Sequence, residues 1–94
     1  MLEKQIEEKV CKYAKEKGLL HYKFSSPNRA AVPDRIFIST AGKVFFIEFK
    51  REGAKVTPAQ EREHLRLKGH YVWVYVVDNV DQGKFIIDLM SGSK

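Results

Sequence analysis

An α/β domain, with a central mixed β-sheet flanked by helices, is the fold that these 94 residues predict, and three observations carry that expectation. Apolar side chains recur at helical spacing over the first seventeen or so residues. Three later runs, Ile36 to Thr40, Val44 to Lys50 and Tyr71 to Val77, are rich in β-branched and aromatic residues. Between the second and third of these runs, Thr57 opens a helix-start signature.

The elements follow in order. Leu2, Ile6, Val10, Tyr13 and Ala14 form a stripe at three- and four-residue intervals, which predicts a first helix from Leu2 to Lys17 closed by Gly18. Glu3 and Glu7 stand one turn apart beside the stripe. Each reads either as a solvated helix charge, Glu3 being favoured by the helix dipole, or as an acid aimed along the core boundary at the sheet. Leu19 to Phe24 reads as a short strand, and Ser25 to Ala31, with Pro27, Asn28 and Arg29, as a polar loop. Lys23, Arg29 and Arg35 around that loop are either a phosphate clamp or scattered solubilising charges. Arg35, adjacent to Asp34, is also a candidate ion-pair partner.

Ile36 to Thr40 pairs with Val44 to Lys50 around a tight Ala41-Gly42-Lys43 turn. The loop from Arg51 to Val56 then adds Arg51 and Lys55 close by. Thr57 as N-cap, Pro58 at the first helical position and Gln60 three residues after the cap form a capping box. That helix runs to Lys68, stops at Gly69, and displays Arg62, Arg66 and Lys68. His70 to Val77 is apolar on both faces and reads as a buried central strand, with Trp73 in the core rather than on a base-stacking platform. Asn79 to Met90 reads as a helix capped by Asp78; Gly83 weakens it, and Phe85-Ile86-Ile87 is the competing strand.

Residues 1–94 are expected to form one domain. A chain this short buries only roughly 60 to 65% of its unfolded surface, so an oligomer is expected. A hydrophobic content of 44%, with aromatic residues at 12%, argues for a packed core and against disorder. No apolar stretch approaches the roughly 20 residues of a membrane span, and the first residues lack a secretion signal, so the expected location is soluble and cytoplasmic. One cysteine, Cys11, excludes an internal disulfide and a thiolate zinc cluster. Seventeen Lys and Arg against twelve Asp and Glu give a formal charge of +5, which suits a polyanionic partner. His21, His64 and His70 show no metal-ligand spacing and read as surface or strand-edge residues.

Asp34, Glu48 and Lys50 are the residues that ask for a function, because they interrupt otherwise apolar strands. Burying an ion costs several kcal/mol unless it is paired or holds a metal. Glu48 and Lys50 share one face of their strand, and the hairpin sets Asp34 across from them. Two converging carboxylates beside a backbone carbonyl form a hard-oxygen site suited to Mg²⁺ or Mn²⁺.

Pro33-Asp34 followed by Glu48-Phe49-Lys50, with Glu48 fourteen positions after Asp34, resembles the PD-(D/E)XK nuclease signature. The longer run from Val32 to Gln60, ending in Thr57-Pro58-Ala59-Gln60, is similar to the VRR-NUC family, and the first helix extends the resemblance over most of the chain. It departs at Val32, where a glycine is common, and at Arg35, where an apolar residue is usual.

The resemblance implies a small restriction-endonuclease-like core and a Mg²⁺- or Mn²⁺-dependent deoxyribonuclease that hydrolyses phosphodiester bonds. Asp34, Glu48 and the Phe49 carbonyl match the metal-binding groups, with Glu7, or Glu3 in its place, as a further acid. Lys50 matches the lysine that positions the attacking water, and Gln60 the glutamine that follows; as a capping residue Gln60 also has a purely structural explanation. Lys23, Arg29, Arg35, Arg51 and Lys55 are the expected DNA contacts. The implied substrate is branched or duplex DNA, a four-way junction above all, cut by a homodimer. Flap or nick cleavage by the same fold, and a non-catalytic basic domain in which Lys50 and Arg35 neutralise the acids, are the alternatives.

Overall fold

A computed structural model describes residues 1–92, which form seven elements: α1 (Glu3–Glu16), β1 (Leu20–Lys23), β2 (Arg35–Ile38), β3 (Val44–Phe49), α2 (Pro58–Gly69), β4 (Trp73–Val77) and α3 (Val80–Met90). Ser93 and Lys94, included in the expected domain, lie outside the described residues. The strands form one sheet in the order β1-β2-β3-β4. β1 to β3 are antiparallel neighbours, and β4 joins β3 in parallel after the α2 crossover, so the sheet is mixed.

Alternation along β3 sorts the molecule into layers. Phe45, Ile47 and Phe49 join Phe37, Val77 and the buried residues of α1 and α3 in the main core. Phe45 stacks on Phe37 with ring centroids 5.2 Å apart, and α1 contributes Ile6, Val10 and Ala14, all fully buried. Burying each large apolar side chain contributes about 1.5–3 kcal/mol, which is what holds α1 and α3 on this face. Phe46 and Glu48 point to the other face, where α2 lies against the sheet. β3 is therefore the strand buried on both sides.

The run at Tyr71 to Val77 departs from expectation. β4 begins only at Trp73 and is an edge strand, with Trp73 57% exposed and Tyr71 94% exposed. An edge strand has a strand neighbour on one side only and lies at the rim of the layers that cover the sheet, and here β3 occupies the inner place. Helix α2 includes Gly69, and Tyr71 rather than a glycine adopts the left-handed conformation, at φ 64°. The segment after it is helix, as the periodicity suggests, but its cap is Asn79, whose side chain accepts from the Gln82 amide. Gly83 is explained by packing: a Cβ there would lie 2.4 Å from Val10 Cγ2, so α1 and α3 approach as closely as they do only because it is absent. Among the described residues, no helix is long and apolar enough to cross a membrane.

Candidate active site

Glu48 stands on the α2 face of the most buried strand, with 2% of its surface exposed. The β2–β3 pairing ends at Arg35 opposite Ile47, and one further step places Asp34 opposite Glu48. Asp34 leaves the strand in a bend after the fully buried Pro33, and its Oδ2 accepts from the Phe49 amide at 2.8 Å. That bond ties the bend to the end of β3 and leaves the other carboxylate oxygen uncommitted. Burial raises the Asp34 pKa to about 6; the Phe49 amide opposes the rise, and the negative charges of Glu48, Glu3 and Glu7 add to it. A proton therefore binds this carboxyl far more readily than it binds an ordinary aspartate, chiefly because the group is partly buried and secondarily because Glu48 is near.

Lys50, on the same face as Glu48, places Nζ 3.9 Å from Glu48 Oε2 and is 14% exposed. Helix α2 adds Gln60, whose two ends do different work. Its Oε1 accepts from the Thr57 amide at 2.9 Å while the Thr57 hydroxyl accepts from the Gln60 amide, closing the capping box. Its Nε2 donates to Glu48 Oε2 at 3.1 Å. The structural and site readings of Gln60 thus coexist in one side chain: the cap fixes the rotamer that reaches the glutamate.

His64, expected at the surface, is instead 4% exposed, with Nε2 3.8 Å from Glu48 Oε1. It lies four residues after Gln60, so the helix aims both side chains at Glu48. That spacing was the available signal. At 3.8 Å the pair is too long for a hydrogen bond, and among the described residues neither Glu48 Oε1 nor His64 Nε2 has a partner. A buried acceptor without a donor costs about 1–3 kcal/mol, more for a charged group. A hard cation would satisfy that oxygen, so the donor set fits Mg²⁺ or Mn²⁺: two carboxylates, each with an oxygen to give, and the carbonyl of Phe49 between Glu48 and Lys50. Among the described residues no three His, Cys, Asp or Glu side chains gather as a ready-made cage. Mg²⁺ does not require one, because it commonly keeps several waters and takes one or two carboxylates.

Glu7 is ion-paired, and its charge still reaches Asp34. Its Oε2 accepts from Arg35 Nε at 2.6 Å and lies 3.9 Å from Lys23 Nζ. Arg35, on the Phe37 side of β2, also lies 3.3 Å from His21 Nδ1, so this cluster belongs to the α1 face, whereas Glu48 belongs to the α2 face. The unusual Arg35 is thereby explained: it neutralises an acid of α1. Glu3 is exposed. Of the expected DNA contacts, Lys23 and Arg35 surround Glu7, Arg29 pairs with Glu63 at 3.4 Å, and Arg51 and Lys55 are exposed on the loop leaving β3.

No protein-family model matches the chain. A solved structure described as "VRR_NUC domain" superimposes with a TM-score of 0.85 at 30% identity, covering 92% of this chain and 94% of that one. The chain belongs to the VRR-NUC family. A second solved structure, "VRR_NUC domain protein", shares the fold at a TM-score of 0.81 and 20% identity, over 96% of this chain and 88% of its own. The sequence is also 42% identical over 79 residues to "Putative nuclease p44" of Acyrthosiphon pisum secondary endosymbiont phage 1, covering 84% of this chain and 85% of that protein. In this VRR-NUC chain, the acids of the β2–β3 hairpin and the polar face of α2 therefore meet on a nuclease scaffold.

Proposed function

We propose that this VRR-NUC nuclease is a divalent-metal-dependent deoxyribonuclease selective for branched DNA, four-way junctions above all, and that it works as a homodimer. One observation carries the reading: a glutamate buried to 2% exposure keeps an oxygen without a partner, across from an aspartate whose carboxyl is pushed up to about 6. A site so short of positive charge is an unfinished one. Asp34, Glu48 and the Phe49 carbonyl would hold the cation. When bound, it supplies Lewis acidity, lowering the pKa of a water and offsetting charge on the phosphate.

The chain's own residues do the rest. Gln60 and the Phe49 amide each hold one oxygen of the two carboxylates before substrate arrives, which lowers the ordering cost left for the transition state. Lys50, held on the Glu48 side and largely shielded from solvent, orients the attacking water and stabilises charge developing on the phosphoryl oxygens. The net charge of +5 favours approach of the backbone. A single domain of this size favours backbone shape over base edges, which supports structure selectivity, and a two-fold pair would set two sites on opposite strands of a junction.

The test is cleavage of labelled junction, flap, nicked and linear substrates with and without Mg²⁺, alongside size-exclusion analysis. Junction cutting by a dimer that requires Mg²⁺ and disappears in Asp34→Ala and Glu48→Ala, with binding largely retained, is the expected result. Mg²⁺-dependent cutting that survives in Asp34→Ala refutes the assignment.

A further inference from the structure

The structure assigns a DNA-phosphate subsite to the depression between the Asn28–Ala31 loop and α2, with Arg29, Arg62 and Arg66 as its cationic lining; this rests on the nuclease reading above and names where a flanking part of the strand would lie. The depression is about 420 Å³ and is lined also by Asn28, Ala59 and Glu63.

Its charge arrangement is specific. Glu63 is buried to 7% exposure, although nothing in an amphipathic helix requires a carboxylate there. It holds Arg29 Nη1 at 3.4 Å and Arg66 Nε at 3.4 Å, one guanidinium from the loop and one from the helix. Each guanidinium has five N–H donors; Arg29 commits one to a hydrogen bond with Glu63, and Arg66 meets Glu63 only as an ion pair. Arg29 and Arg66 remain 51% and 56% exposed, so most of their donors stay open to a ligand. Arg62 is exposed and forms no ion pair among the described residues. Three guanidiniums against one carboxylate leave the depression with a charge of +2.

One guanidinium is enough to neutralise the buried Glu63 carboxylate, so the second, and the unpaired Arg62 beside it, are in excess of what the fold needs. Fixing two guanidinium forks around one pocket is what recognition of a phosphate oxygen needs. Position points to the substrate: Ala59, Arg62, Glu63 and Arg66 form one face of α2, and the next residues round the helix, Gln60 and His64, face Glu48. A strand with its scissile phosphate at Glu48 would continue over this neighbouring face.

The experiment is fluorescence anisotropy of a labelled duplex and a labelled junction, across a salt series, in Glu48→Ala protein that cannot cleave. Adding Arg62→Ala and Arg66→Ala should weaken binding on the order of tenfold and flatten the log–log salt dependence by about 1.8, at about 0.9 for each phosphate no longer neutralised, uniformly across sequences. An unchanged slope overturns the subsite, whether or not the affinity falls. Arg62→Ala alone, at an exposed unpaired position, gives half the slope change should the double variant fold poorly. The two readings fail separately: wild type that cuts while the slope is unmoved removes the subsite alone, and a flattened slope in a chain that never cuts removes the nuclease mechanism alone.

Discussion

Replacing Asp34 with Asn should make the protein more stable at neutral and alkaline pH while ending its activity. Burial is the main cause of the rise in the Asp34 pKa from its ordinary value to about 6. Because the folded form binds the proton more tightly than the unfolded chain does, stability from this group is fully present below about pH 4. It is lost as pH rises through about 6, where the carboxylate ionises inside the fold. A rise of that size corresponds to at most ~3 kcal/mol. Asp34 is only half-buried, so solvent screening reduces this to about 1 kcal/mol. Asparagine keeps an acceptor for the Phe49 amide and never ionises. In EDTA at about pH 8, Asp34→Asn should therefore melt roughly 4–8 °C above wild type, the shift that 1 kcal/mol gives a domain of this size. The gap should close towards pH 4, and adding Mn²⁺ should raise the wild-type Tm while leaving the variant where it was. An Asn variant that melts at or below wild type at about pH 8 in EDTA would refute the idea that this carboxylate is held at a cost.

Three further outcomes follow from particular contacts. Lys50→Ala should lower the cleavage rate by about 10²–10⁴-fold in single-turnover assays while stabilisation by Mn²⁺ persists, because the lysine serves the water rather than the ion. Gln60→Ala should lose about 1 kcal/mol in thermal melts together with cleavage, whereas Gln60→Glu keeps the cap on Thr57 but sets a second carboxylate against Glu48, so it should lose cleavage and melt lower at about pH 8 than at about pH 5 relative to wild type. Gly83→Ala should cost about 1–3 kcal/mol in urea unfolding, because its Cβ would meet Val10 at 2.4 Å, and Val10→Ala in the same chain should recover part of the loss.

What the sequence disclosed, and what it withheld, divides by distance along the chain. Asp34 and Glu48 were legible because a tight hairpin fixes register, and register places one acid opposite the other. The Thr57–Gln60 cap was legible because it is local. His64 was missed because its partner lies sixteen positions away, across the loop and helix start that follow β3, and nothing at His64 itself marks burial. Arg35 and Glu7, 28 positions apart, meet only through packing of α1 on the sheet, so the local reading could not choose among ligand, clamp and ion pair. Trp73 misled because an apolar run shows that a strand can be covered, not that a neighbour covers it. Gly83 lowered the apparent helix tendency of its segment for a reason that resides in α1.

The most direct measurement is anomalous diffraction from crystals of the protein grown with Mn²⁺. A peak bonded to Asp34, to the Glu48 oxygen now without a partner and to the Phe49 carbonyl, at about 2.0–2.2 Å as hard oxygen ligands bind small divalent ions, is the predicted result. Crystals that bind Mn²⁺ elsewhere and leave these oxygens bare, with Glu48 turned to hydrogen-bond His64, would contradict it.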